Sequence, residues 1–156
     1  MKIIECVPNF SDGRNPETFE TIKEAVANIK DVKLLSLEPD ADYNRVVVTL
    51  AGNEEGILNG TLAACRVAAK FIDMRRHKGG HPRLGAIDVV PFVPVANVST
   101  EECVKISEQF AKIISEDLKV PVYLYESAAR KVDRKSLTSI RQGEYEGLKE
   151  KLKDPD

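Results

Sequence analysis

Apolar and polar positions follow two periods along the chain, and each period predicts one kind of element. Short runs of β-branched and aliphatic residues between turn-forming residues predict strands at residues 2–7, 32–37, 45–51, 86–95 and 120–125. Apolar residues at intervals of three or four predict helices at residues 15–30, 54–73 and 99–118. Shorter helical pieces are predicted at residues 127–132 and, interrupted at Gly143, at residues 137–152.

The order of these elements predicts the fold class. The first six are strand, helix, strand, strand, helix and strand, which is the split βαβ arrangement of ferredoxin-like folds. Right-handed crossovers place the first and third strands side by side at the centre, with both crossover helices on one face. We therefore predict an α/β (α+β) protein with a ferredoxin-like βαββαβ core, extended by a further helix, a fifth strand and a C-terminal helix. At 156 residues the chain is expected to form a single domain.

Composition narrows the classes of function. The chain is 42% hydrophobic and 31% charged, as is typical of soluble globular proteins. Its net charge of -2 gives no reason to expect a nucleic-acid or membrane partner, and no stretch approaches the ~20 apolar residues of a membrane span. The three cysteines, Cys6, Cys65 and Cys103, form no C-x-x-C pair, which favours reduced thiols in a cytoplasmic protein.

One segment, residues 72–88, contains both histidines of the chain together with three arginines and three glycines. Glycines such as Gly79 and Gly80 let backbone N–H groups approach a ligand, and the basic side chains attract an anion. The ordinary pKa of imidazole lies near neutrality, so a histidine here can take and give a proton. Its cationic neighbours are expected to favour the neutral form. A zinc site is not predicted, because the glycines between His77 and His81 oppose the helix that an H-E-x-x-H site needs.

Five blocks of the sequence resemble glutamate formiminotransferase. They are ECVPNFSDGRN (5–15), NRVVVTLAG (44–52), IDMRRHKGGHPRLGAIDVVPFVPV (72–95), VPVYLYESAA (120–129) and IRQGEYEGL (140–148). The resemblance is to the N-terminal subdomain of that enzyme, which also occurs fused to a cyclodeaminase. It implies transfer of a formimino group between 5-formiminotetrahydrofolate and L-glutamate, in histidine degradation and one-carbon metabolism, with tetrahydrofolate as the carrier and no metal.

In that family a second subdomain follows, and the folate lies in a cleft between the two. We expect the second folate-binding subdomain to be absent from this chain, which ends at Asp156. The expected ligands are a folate derivative and glutamate, and the expected protein partner is a second copy of the chain or a chain that carries the second subdomain. The alternative is a non-catalytic ferredoxin-like subunit that binds a ligand or oligomerises with a partner chain.

The resemblance places the catalytic histidine of the H-x-G-x-H-P-R motif at His81. Formimino transfer requires the attacking amine to lose a proton and the leaving nitrogen to gain one, and a single imidazole can serve both steps in sequence. His81 is therefore the predicted general acid and base. The alternative is a loop histidine that only caps or packs.

Seven further residues are predicted to bind substrate or to shape the site: Asn9, Glu38, Arg45, His77, Gly79, Gly80 and Arg83. Arg45 and Arg83 are favoured as ligands of a glutamate or folate carboxylate, because guanidinium binds carboxylate in a bidentate fork. Arg75 and Arg76 are instead expected to be solvated side chains at a helix end.

The remaining predicted residues each have a structural alternative. His77 is expected to shape the loop or to support the site. Glu38 is predicted to orient His81 or to accept the substrate ammonium, although acidic residues are also common in hairpin turns. Asn9 is predicted to point into the site from the end of the first strand, and a plain asparagine turn is the alternative.

Overall fold

The computed structural model describes residues 1–154 of the chain, so residues 155 and 156 of the predicted domain lie outside the described part. The strands are β1 (Ile3–Cys6), β2 (Asn9–Phe10), β3 (Val32–Asp40), β4 (Arg45–Gly52), β5 (Ile87–Val89) and β6 (Phe92–Ala96). The α-helices are α1 (Pro16–Ala27), α2 (Glu54–Phe71), α3 (Thr100–Leu118), α4 (Leu137–Arg141) and α5 (Glu144–Lys151). Two 3₁₀ turns, Glu126–Ala128 and Val132–Arg134, precede α4.

The sheet is antiparallel and has the ferredoxin-like strand order. β4 pairs with β1 and β2 on one side and with β3 on the other, while β6 and β5 pair with the outer side of β1 and β2. The predicted central pairing of the first and third strands is confirmed, with Cys6 opposite Leu50. Pro8 and Pro91 lie where the first and fourth predicted strands are each interrupted, because proline has no N–H to donate to a ladder.

The helices cover one face of the sheet and enclose the core. Along β4, the side chains of Val46, Val48 and Leu50 are fully buried among residues of α1, α2 and α3, whereas Val47 and Thr49 on the other face are half-buried. The helix starts agree with the sequence: the asparagine before α1 accepts a hydrogen bond from the backbone N–H two residues on, and a complete Ser–Glu capping box precedes α3. Among residues 1–154, no helix combines the length and the apolar character that crossing a membrane requires.

The prediction of a fifth strand at residues 120–125 is wrong within the described part of the chain, where this segment joins no sheet. Pro121 removes a donor from the segment, and Pro94 removes one from the neighbouring strand β6, so a ladder between them would be incomplete. A mainly apolar cavity of about 960 Å³ is lined by this segment, by β6 and by α3. The helix predicted at residues 127–132 is replaced by the two 3₁₀ turns.

The hairpin between the second and third predicted strands is tighter than its acidic sequence suggests. β3 continues to Asp40, so Glu38 lies within the strand, opposite Val47, and not in the loop after it. The turn is shaped by the Asp40 carboxylate, whose Oδ1 accepts hydrogen bonds from the backbone N–H groups of Asp42 and Tyr43 at 3.0 and 2.9 Å.

Candidate functional site

The glycine and histidine loop, residues 72–86, connects α2 to β5 and lies against the hairpin turn between β3 and β4. His77 Nε2 donates a hydrogen bond to the Asn44 carbonyl oxygen at 2.8 Å, and Asn44 Nδ2 donates to the Lys78 carbonyl oxygen at 3.0 Å. Asn44 Oδ1 accepts from the Gly13 N–H at 2.9 Å, so one asparagine ties three segments together. Asn44 has a φ of 51°, in the left-handed region that asparagine tolerates better than most residues.

Gly79 and Gly80 differ in how closely the hairpin approaches them. A Cβ atom on Gly79 would lie 2.3 Å from the Tyr43 carbonyl oxygen and 2.7 Å from Asn44 Cβ. On Gly80 the nearest atom would be Tyr43 Cδ1 at 3.3 Å. Glycine at residue 79 is therefore required by close approach to the hairpin turn of the chain itself. The sequence had suggested close approach to a ligand instead.

Arg83 lies at the centre of a hydrogen-bonded group that we call the Arg83 cluster: His77, Arg83, Glu144 and Glu146. Its Nη2 donates to Glu146 Oε1 at 2.8 Å, and its Nη1 donates to Glu146 Oε2 at 3.0 Å and Glu144 Oε1 at 3.1 Å. Its Nε donates to His77 Nδ1 at 3.1 Å. With Nδ1 accepting, geometry assigns the His77 proton to Nε2, in agreement with the bond to Asn44.

This arrangement corrects the predicted role of Arg83. The residue is only 7% exposed, and the carboxylates that it binds belong to the start of α5, so its donors are not free for a substrate in this structure. The hydrogen bond from Arg83 lowers the pKa of Glu146 to about 2. The cluster therefore holds α5 against the loop, and the His77 ring links Arg83 to the Asn44 carbonyl oxygen.

His81 lies four residues further on, in a different environment. Its ring is half-buried and meets the Tyr43 ring edge to face, with centroids 6.4 Å apart and an interplanar angle of 80°. The Arg45 guanidinium lies over the same tyrosine ring, 5.6 Å from its centroid. Tyr43 thus brings the first residue of β4 and the loop histidine together.

Two residues that the sequence analysis did not select complete this region. The Asp88 side chain has no exposed surface, and its carboxylate accepts a hydrogen bond from the Leu84 N–H at 2.8 Å and another from Arg141 Nη2. Asp88 is the extra residue of a β-bulge, because consecutive residues of β2 pair with Val89 and Ile87. A carboxylate inside the apolar run AIDVV was the available signal. We call Tyr43, Arg45, His81, Asp88 and Arg141 the His81 site.

The His81 site favours a neutral imidazole. Burial lowers the pKa of His81, and the positive charges of Arg45 and Arg141 lower it further, against the opposing effects of Asp88 and the Pro82 carbonyl. The expected direction is therefore found, but the arginines responsible are distant in sequence. Arg75, which is close in sequence, is exposed and pairs with Asp73, so its predicted solvated character is confirmed.

The other predicted residues lie on the sheet. Asn9 is in β2, opposite Val47 and Val89, and is 6% exposed, with no hydrogen-bond partner for its Oδ1 within the described residues. Glu38 is exposed on the edge strand β3, and no hydrogen bond or ion pair among residues 1–154 joins it to His81. The structure therefore does not bring Glu38 to the histidine through a direct contact.

Of the residues of the His81 site, Asp88 lines the cavity beside β6. A second cavity, of about 850 Å³, is lined by His77, Arg83 and residues of α5. His81 lines neither this cavity nor the one beside β6. The half-buried ring thus lies outside both of these cavities.

Fold and site together define a ferredoxin-like α+β domain in which burial and two arginines lower the pKa of a histidine where a loop meets the sheet. The sequence model of the formiminotransferase domain, N-terminal subdomain, matches residues 3–156. The chain belongs to this family, and the resemblance inferred from its sequence blocks is confirmed.

Relatives with known names agree with this assignment. A formimidoyltransferase-cyclodeaminase of Dictyostelium discoideum is 51% identical over 98% of this chain and 28% of its own length. Glutamate formimidoyltransferases of Streptococcus pyogenes serotype M1 and Thermoplasma acidophilum are each 42% identical over 99% of this chain and 52% of their own length. The chain thus spans about half the length of these microbial relatives and less than a third of the Dictyostelium protein.

Proposed function

We propose that this chain is the N-terminal, histidine-bearing part of a cytoplasmic glutamate formimidoyltransferase, which transfers a formimino group between 5-formiminotetrahydrofolate and L-glutamate in histidine degradation and one-carbon metabolism. The observation that carries the proposal is a half-buried His81 whose pKa is lowered, in a chain 42% identical to glutamate formimidoyltransferases over 99% of its length.

His81 is the proposed general acid and base. In the neutral form it accepts a proton from the attacking amine, whose nitrogen forms a bond to the formimino carbon and gives a tetrahedral intermediate. The resulting imidazolium then donates that proton to the second nitrogen, and the carbon–nitrogen bond on that side breaks. The same atoms serve the reverse direction with the two nitrogens exchanged. A lowered pKa suits this cycle, because the base is available at neutral pH and its conjugate acid is a good donor.

The substrates provide carboxylates, and the site provides cations. Arg45 is the proposed ligand of a substrate carboxylate, since its side chain forms no hydrogen bond within residues 1–154 and its buried Nε has no partner. Asn9, also with an unpartnered buried oxygen, is the proposed amide contact from the sheet. For Glu38 the proposal is limited to contact with the substrate ammonium, because its side chain is exposed.

The second wall of the site is proposed to come from a second subdomain, supplied by a longer form of the protein or by another chain, with the folate between the two. Exposed apolar side chains on β6 support this proposal. Val93 and Val95 of this strand are 38% and 57% exposed. The position of His81 outside both cavities is consistent with a site that two bodies form together. A homo-oligomer is the alternative source of that wall.

Calorimetry with folinate and an assay of formimino transfer from formiminoglutamate to tetrahydrofolate test the proposal. Each is performed on this chain alone and on this chain mixed with the separately produced C-terminal half of the Streptococcus pyogenes relative. We expect binding heat and transfer in the mixture. Transfer in neither sample, with folinate heat in neither, would favour the non-catalytic ferredoxin-like module.

A further inference from the structure

Two guanidinium groups act on His81 from different elements, and neither is fully paired. Arg45 begins β4, and Arg141 ends α4. The Nε atom of each is buried and has no hydrogen-bond partner among residues 1–154. Buried donors without partners are rare and costly in native proteins, so two of them beside one imidazole indicate that an acceptor is missing from this part of the chain.

Each guanidinium is also held in place. Arg141 is 18% exposed, and its Nη2 is bound to Asp88, whose carboxylate is fixed in turn by the Leu84 N–H. Arg45 lies over the Tyr43 ring, which also contacts His81. A guanidinium has five donors, so the single bond to Asp88 leaves donors of Arg141 for a ligand.

We propose that Arg141, together with Arg45, binds the α-carboxylate of the amino-acid substrate beside His81. This proposal rests on the proposed function and adds to it a second arginine and a defined part of the substrate. The amine that gains or loses the formimino group is attached to the carbon that carries the α-carboxylate. Binding that carboxylate between the arginines therefore positions the reacting nitrogen near the imidazole, as a general base requires.

The ligand also changes the basicity of His81. The charges that act on the ring come from Arg45 on β4, Arg141 on α4 and Asp88 on β5. A bound carboxylate offsets part of the positive charge of the two arginines, so the protonated imidazole becomes less unfavourable. The base is then stronger when the amino acid is present than when the site is empty.

The two histidines of this chain allow a direct test by NMR titration of the imidazole protons, with His77 as the internal control. L-Glutamate, L-glutamine and L-isoglutamine are added to separate samples, because isoglutamine lacks only the α-carboxylate among the charged groups of glutamate. We expect glutamate and glutamine to raise the His81 titration midpoint by about one pH unit and isoglutamine to leave it unchanged. An equal response to isoglutamine, or no response to any ligand, would overturn the proposal.

Variants separate the arginine from the rest of the site. Arg141→Gln is expected to raise the His81 midpoint without ligand and to abolish the response to glutamate. Arg141→Lys keeps the charge and is expected to leave the free midpoint unchanged while weakening the response; an undiminished response in this variant counts against the proposal, even if the glutamine variant does not fold. Arg75→Gln is the matched control. Arg75 is in the loop that contains His81, but it is exposed and paired with Asp73, so this variant should behave as the parent protein.

This test is distinguishable from that of the proposed function. An intact glutamate response in a mixture that transfers no formimino group counts against the proposed function alone. Formimino transfer without a response of His81 to glutamate counts against the carboxylate site alone.

Discussion

The two histidines of the chain lie in one loop, four residues apart, and have opposite surroundings. Both ring nitrogens of His77 are hydrogen-bonded, one to the Asn44 carbonyl and one to Arg83. No side chain among residues 1–154 hydrogen-bonds the ring of His81, whose surroundings are the edge of Tyr43, the backbone of Pro82 and nearby charges. An imidazole with both nitrogens bonded to the chain holds its loop in one place, whereas an imidazole without side-chain partners keeps a nitrogen for another molecule.

The same contrast applies to the arginines. Arg83 uses its guanidinium on two glutamates of α5 and on His77, while Arg45 and Arg141 each have a buried donor without a partner among residues 1–154. The Arg83 cluster is therefore structural, and the His81 site is the one that we propose to carry the chemistry. The first positions the second, because α4 and α5 are separated only by residues 142 and 143.

The largest expected effect is on activity. His81→Asn should lower formimino transfer by roughly 10²- to 10⁴-fold, since the proposed general acid and base is removed, while the melting temperature changes little. His77→Asn is the matched variant. We expect it to lower the unfolding free energy by about 1–3 kcal/mol and to have a much smaller effect than His81→Asn on the rate of transfer. Steady-state rates and thermal unfolding of both variants check this. Undiminished transfer by His81→Asn would remove the distinction between the two histidines.

The next largest effect is steric. Gly79→Ala would place a methyl group 2.3 Å from the Tyr43 carbonyl oxygen, so the loop must shift; we expect a loss of about 1–3 kcal/mol of unfolding free energy. Gly80→Ala meets only the edge of a ring at 3.3 Å and should lose less. Gly147→Ala, in α5 with nothing within 4 Å of the new atom, should gain up to about 1 kcal/mol. Denaturant unfolding measures all three, and equal losses at residues 79 and 80 would contradict the packing described.

Arg83→Lys should have a smaller effect. Lysine keeps the charge but cannot form the bidentate bond to Glu146 or reach His77 with the same geometry, so we expect a loss of about 1–2 kcal/mol. Denaturant unfolding measures this loss of stability, and the rate of formimino transfer is measured beside it. Loss of transfer with unchanged stability would instead indicate that Arg83 contacts a substrate.

The smallest effect is that of Glu146, whose side chain is 67% exposed. Arg83 lowers the pKa of Glu146 from 4.5 to about 2, so the folded state favours the carboxylate. Its stabilisation is complete above pH 4.5 and is lost as the pH falls toward 2. Glu146→Gln should lower stability at neutral pH by less than about 1 kcal/mol and should weaken its dependence on pH in that window. Glu150→Gln, which removes only an exposed pair with Lys153, is the control, and stability against pH is the measurement.

Periodicity and turn residues were enough to predict the order of the core elements and the central strand pairing, because these depend on local preferences and on chain connection rules. They failed at residues 120–125, which have the composition of a strand but join no sheet in the described part of the chain. Proline in this segment and in β6 removes donors that a regular ladder between them would need. They also failed at Glu38, which lies within β3 and not in the turn. Acidic residues indicate a turn nearby but do not show at which residue the strand ends. Sequence blocks located His81 but could not indicate which cations surround it.

The amino-acid sequence by itself determined the family, the ferredoxin-like order of strands and helices, and the loop that contains both histidines. Only the tertiary structure decided which histidine is bound to its neighbours, which arginine binds the chain's own glutamates, and which arginines retain donors beside His81. The physical reason is distance. Arg45, Asp88 and Arg141 are widely separated along the chain, and charge and hydrogen bonding act through space between atoms that folding brings together.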